Sequence, residues 1–85
     1  MDFEIPEAHL RHILWEKSKT AEFEYDKDVD LEYLAEQHEI SAASIINVLH
    51  YSILKCLGKN DRTIRLKDIQ AGLKMEKIKE GKSIV

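Results

Sequence analysis

The sequence predicts an all-α fold, a compact four-helix bundle, and three observations predict it. Apolar residues recur at three- and four-residue spacing in four stretches of the chain. Capping residues and breakers stand at the ends of those stretches. No stretch alternates apolar and polar residues for long enough to build a sheet.

The first helix is expected to begin at Pro6, since proline suits a first helical position, where its missing N–H has no partner in any case. Glu7 complements the positive end of the helix dipole. Leu10, Ile13, Leu14 and Lys17 then fall on one stripe. Phe3 and Ile5 precede it in extended chain and cover its entrance. From Ser18 to Asp28 there is no helical period, and Phe23 and Tyr25 alternate with charges. That stretch reads as a loop pinned to the core by its aromatics.

A second, short helix is expected from about Asp30 to His38, capped by Asp28 or Asp30, with Leu31, Leu34 and Ala35 inward. The third runs from Ser41, a good N-cap, to Gly58, read as the residue just past its end. Ile45, Ile46, Val48, Leu49, Ile53, Leu54 and Leu57 surround much of its circumference, which predicts a central position. Ile64 reads as a short extended contact, and the fourth helix spans Leu66 to Lys79. Leu66, Ile69 and Leu73 face inward there, with Met75 a further candidate. Gly72 costs about 1 kcal/mol relative to Ala inside a helix, which points to a close helix contact at that position. The tail after Gly81 is expected to fray.

Eighty-five residues make one domain at most. A chain of this size buries roughly 60–65% of the surface its unfolded form exposes, so the core is small. With 44% apolar and 34% charged residues, three glycines and one proline, it is neither a disordered tail nor a linker. The formal net charge of −3 lacks the basic surplus of a general nucleic-acid binder. Acidic residues crowd Ala21–Glu39, and basic ones dominate Lys55–Lys82. Such asymmetry can orient a domain against a partner, although a solvated face is the commoner meaning. Cys56 is the single cysteine, which excludes an intramolecular disulfide. With no bilayer-length apolar run and no basic-then-apolar leader after Met1, the expected location is cytoplasmic, with no membrane partner.

Few residues offer chemistry of their own. His9 and His12 lie three apart, but a structural zinc site needs four ligands and nothing nearby completes the set. His38 and His50 are isolated. Ser41 and Ser44 are better read as cap residues than as nucleophiles. Gly58, Gly72 and Gly81 have no phosphate-loop spacing. Trp15 is read as a core residue ahead of a partner contact.

The run from Phe3 to Leu14 resembles the opening of the C-terminal helical lid of AAA-type (AAA+) ATPases. Pro6, Arg11, Ile13 and Leu14 match its proline, arginine and Ile-Leu at the family's spacing. The run Asp28–Ile45 looks like that lid's second and third helices, matching at Val29, Asp30, Leu31, Leu34, Ala35, Ser41, Ala43 and Ile45. Ile64 and Leu66–Leu73 resemble its last helix. The resemblance thus covers nearly the whole chain, as one lid domain over residues 1–85, with the nucleotide-binding α/β domain expected upstream.

The resemblance implies a cover over the adenine of Mg-ATP bound to the large domain. It also implies contact with the neighbouring subunit of a homo-oligomeric, usually hexameric, ring that acts on a protein substrate. By position, Ile13 and more weakly Lys17 would contact the base from the first helix, and Ala42 and Ala43 would lie by base and ribose. Ala43 stands where some branches carry a phosphate-sensing arginine, so no such sensor is expected. Glu39-Ile40, Ala42 and Ser44 replace the usual Gly-Phe, Gly and Asp. The chain alone is expected neither to hydrolyse ATP nor to bind it tightly, and to need no cofactor. Ile13 and Ala42–Ala43 are expected on an exposed apolar face. Against this stand a free-standing helical module that receives a partner helix, a nucleic-acid binder supported only by the basic segment, and, last, a small metal-dependent enzyme.

Overall fold

The computed structural model describes residues 5–79, so Phe3 and the tail after Gly81 lie outside the described residues. Four helices follow in chain order: α1 (Ala8–Lys17), α2 (Leu31–Gln37), α3 (Ala42–Gly58) and α4 (Leu66–Lys79). Two short strands, β1 (Glu24–Tyr25) and β2 (Thr63–Ile64), pair in parallel with Glu24 opposite Thr63 and Tyr25 opposite Ile64. The mostly helical fold agrees with the all-α expectation. The added feature is this two-residue ladder, formed where the aromatic loop meets Ile64.

Local chemistry explains most boundaries. Asp30 caps α2 by accepting from the backbone N–H of Tyr33 at 3.2 Å, and Ser41 caps α3 by accepting from that of Ser44 at 3.2 Å. The end of α3 differs from expectation. Gly58 is the last helical residue, and the left-handed position is Asn60 at φ 55°. The N–H of Asp61 returns to the carbonyl of Cys56 at 2.8 Å, and that of Asn60 to Leu57 at 3.1 Å. These are the two bonds of a Schellman motif, and asparagine is among the few non-glycine residues that tolerate its conformation.

α1 also starts later than expected. Glu7 is its extended N-cap, and Pro6 precedes it. The carbonyl of Pro6 is turned to the Arg11 guanidinium. The inward face of α1 is Arg11 and Trp15, not the stripe Leu10–Ile13–Leu14–Lys17. Leu14 is half-buried, while Leu10, Ile13 and Lys17 are exposed. Size decides the rotation. Burying an indole removes roughly 150–250 Å² from water, about 4–6 kcal/mol at the usual coefficient, against roughly 1.5–3 kcal/mol for a leucine or isoleucine. Trp15 is fully buried. Arg11, one turn away, is tolerated inside because its Nε donates to the carbonyl of Ala35 at 2.7 Å, in the last turn of α2.

The core joins Trp15, Phe23, Leu34, Ala35, Ile40, Ile45, Val48, Leu49, Ile64, Ile69 and Leu73. Phe23 is buried, and Tyr25 packs against the core while its hydroxyl donates to the carbonyl of Trp15. Burial, and the nearby charge of Glu16, push the Tyr25 hydroxyl far above its ordinary pKa. α3 packs on both α1 and α4 and so is central, yet Leu54, Leu57 and Ile46 stay exposed. Gly72 of α4 does sit at a close crossing, against Val48 and Tyr51 of α3. Met75 does not face inward. It is 44% exposed, and Glu76 is buried in its place, accepting from the Asn47 amide at 3.2 Å and pairing with Lys79 at 2.7 Å.

Candidate functional site

The first turn of α1 begins just after an extended piece that ends at Pro6, and the first turn of α3 begins just after the Ser41 cap. Packing of α1 on α3 brings these two starts to one side of the molecule. Between them lies an open apolar groove of about 690 Å³, lined by Ile5, Pro6, Leu10, Ile13, Leu14 and Ala42. All six lining residues among those described are apolar. Ile13 is 38% exposed and Leu10 44%, so the groove is a surface left open and not an internal cavity.

Its walls are fixed from behind. Arg11 joins the start of α1 to the end of α2 through two carbonyls, and Trp15 anchors the same helix in the core. Ser41 holds the first turn of α3. An apolar hollow left open among the described residues favours an apolar occupant, because each Å² removed from water contributes roughly 25 cal/mol.

Of the four residues singled out in the sequence, Ile13 and Ala42 line the groove together. Lys17 and Ala43 are exposed and do not line it. The groove also recruits Ile5, Pro6 and Leu10. Leu10 escaped notice because the periodic stripe assigns it to the core, and only the rotation forced by Trp15 turns it outward.

No cluster of three or more metal-ligating side chains exists among the described residues. His12 instead lies 3.7 Å from Glu16 on the same helix. Cys56 is buried, with its thiol donating to the Thr63 carbonyl at 3.1 Å, and burial pushes its pKa up. That is the environment of an inert thiol.

The charge asymmetry is partly consumed inside the fold. Arg65 reaches both Asp26 and Asp61 at 3.1 Å, and Arg62 lies 3.7 Å from Glu22. The backbone N–H of Thr63, then Arg65, hold the Asp61 carboxyl below its ordinary pKa. Among the described residues no helix is long and apolar enough to cross a membrane. Compared with known proteins, the chain matches no family model, and no curated protein aligns with it significantly.

Proposed function

We propose that the chain is the helical lid of an AAA-type ATPase, and that the groove between the starts of α1 and α3 packs on the nucleotide-binding domain beside the adenine of Mg-ATP. The observation that carries this reading is the meeting of Ile13 and Ala42 in one exposed apolar groove. The residues that resemble the lid's base-contacting positions come from segments far apart in sequence, and a merely similar composition gives no reason for them to share a face. In this reading the chain supplies no catalytic group. Ile13 and Ala42 provide apolar contact to the base, and the small side chain of Ala42 leaves the helix start open to close approach. Lys17 and Ala43, being exposed, are left for contacts to the large domain or to the neighbouring subunit of the ring.

The experiment is direct. In the gene, a phosphate-loop motif encoded within about 250 residues upstream, one domain length, supports the reading. In solution, the isolated chain should show at most weak binding of Mg-ATP, because the phosphate-binding surface lies on the other domain. Sub-micromolar affinity of this chain alone for ATP would contradict the proposal.

The second reading is a helical interaction module whose groove takes an amphipathic partner helix. The apolar lining that the described residues give the groove favours it as well. A natural reading frame that starts at Met1, with no nucleotide-binding domain before it, would select this reading over the lid.

A further inference from the structure

A second hollow, of about 210 Å³, lies where α4 passes the end of α2, and shares no residue with the apolar groove. Gln70, Leu73, Lys74 and Lys77 of α4 line it on one side, at the i, i+3, i+4 and i+7 spacing of a single helix face. His38, the C-cap residue of α2, closes it on the other.

We propose that this hollow seats the phosphate group of a small phosphate monoester, held by the ammonium groups of Lys74 and Lys77, the Nε2–H of His38 and the Gln70 amide. The Lys77 ammonium lies 2.8 Å from Nδ1 of His38. An ammonium has only donors, so Nδ1 accepts and the ring proton sits on Nε2, which makes a second donor. Burial, then the charge of Lys77, hold the His38 pKa below its ordinary value, in keeping with a neutral ring here.

The charge count points the same way. Lys79 is paired with Glu76, and Arg65 with two aspartates. Neither Lys74 nor Lys77 has a carboxylate within 4.0 Å among the described residues. With no carboxylate partner among the described residues, these two cations beside a half-buried imidazole match one group of charge near −2 better than a carboxylate of charge −1. Buried Leu73 offers an apolar contact for the organic part of the ester. The volume lies below the range of drug-sized pockets, so the ligand is small.

Nuclear magnetic resonance of the labelled chain tests this at fixed ionic strength, with inorganic phosphate and phenyl phosphate as probes. The expected result is saturable shifts confined to His38 and Gln70–Lys77. Dissociation constants on the order of millimolar are expected, tighter for phenyl phosphate. The double variant Lys74→Gln/Lys77→Gln should bind roughly tenfold or more weakly. Lys74→Gln alone changes an exposed side chain, so it keeps the fold should the double variant lose it, and it too should bind more weakly. Shifts that grow linearly without saturating, or unchanged affinity in Lys74→Gln, would overturn the site. Equal affinity for the two probes would overturn the monoester assignment.

Discussion

Replacing Gly72 by alanine sets helix propensity against packing, and the distances allow the sign to be worked out. Alanine in the interior of α4 is favoured by about 1 kcal/mol over glycine. The added Cβ would lie 3.2 Å from Val48 Cγ1, 3.3 Å from Tyr51 Cδ2 and 3.4 Å from Val48 Cα. The Tyr51 ring is half-buried and has room to swing. Val48 has none: a β-branched side chain in a helix keeps one strongly preferred rotamer, and its Cα is backbone. α3 and α4 must therefore separate by a few tenths of an ångström, which loosens the contact that carries Ile69 and Leu73 into the core. Overpacking of this kind costs about 1–3 kcal/mol, so Gly72→Ala should destabilise by about 1 kcal/mol net, or roughly 4–8 °C in Tm for a domain of this size. Urea unfolding of a double-mutant cycle with Val48→Ala isolates the cause. Val48→Ala alone is destabilising, but in its background Gly72→Ala should become stabilising, because the closest atom is gone. If Gly72→Ala raises stability by the full propensity difference in both backgrounds, the close crossing does not constrain the helices and the reasoning fails.

Three further outcomes are expected. Arg11→Ala removes a buried guanidinium and strands two carbonyls, and should cost about 2–4 kcal/mol in chemical denaturation; a loss under about 1 kcal/mol would show that water replaces the guanidinium without penalty. His38 has a folded pKa below its unfolded value, so both states are neutral at high pH and no stability is lost there. As pH falls through the unfolded pKa near 6.5 the unfolded chain takes up a proton first. Stability should therefore decline from that pH down to the lower folded pKa, and His38→Gln should flatten the decline in thermal scans between pH 7 and 5. Ile13→Glu, at an exposed position of the groove, should change the stability of the isolated chain by less than about 0.5 kcal/mol. Under the lid proposal, the same change in the complete ATPase that the proposal implies should reduce ATP turnover at least tenfold, and full activity of that variant would count against the proposed contact of Ile13 with the base.

Much of the helical layout was legible because short-range chemistry wrote it. Asp30 and Ser41 mark helix starts that depend only on neighbouring residues, and α4 opens at Leu66 as the pattern predicts. What escaped depends on competition between distant groups. Which face of α1 turns inward is decided by the size of Trp15 and by a carbonyl on α2 that Arg11 finds, neither of which a periodicity count weighs. Asn60 took the left-handed position that a glycine two residues earlier advertised, because α3 runs on through Gly58 before its Schellman bonds close. Ile13 and Ala42 were legible as groove residues through resemblance, whereas Leu10 became visible only once the helix was rotated. The hollow at His38 needed the approach of α4 to α2, which no local pattern encodes.

The parallel pairing of residues 24–25 with 63–64 carries a consequence for the order of assembly. Parallel strands need a crossover, and here the crossover is the stretch of chain that carries α2 and α3. The amides of Glu24 and Asp26, bonded to the carbonyls of Arg62 and Ile64, thus find their acceptors only when the whole crossover is closed into a loop. Closing so long a loop adds an entropic cost that grows only slowly with length but is met by few bonds. The ladder is therefore expected to close late, and hydrogen exchange at its two amides should report whether the outer helices have been gathered onto the central one.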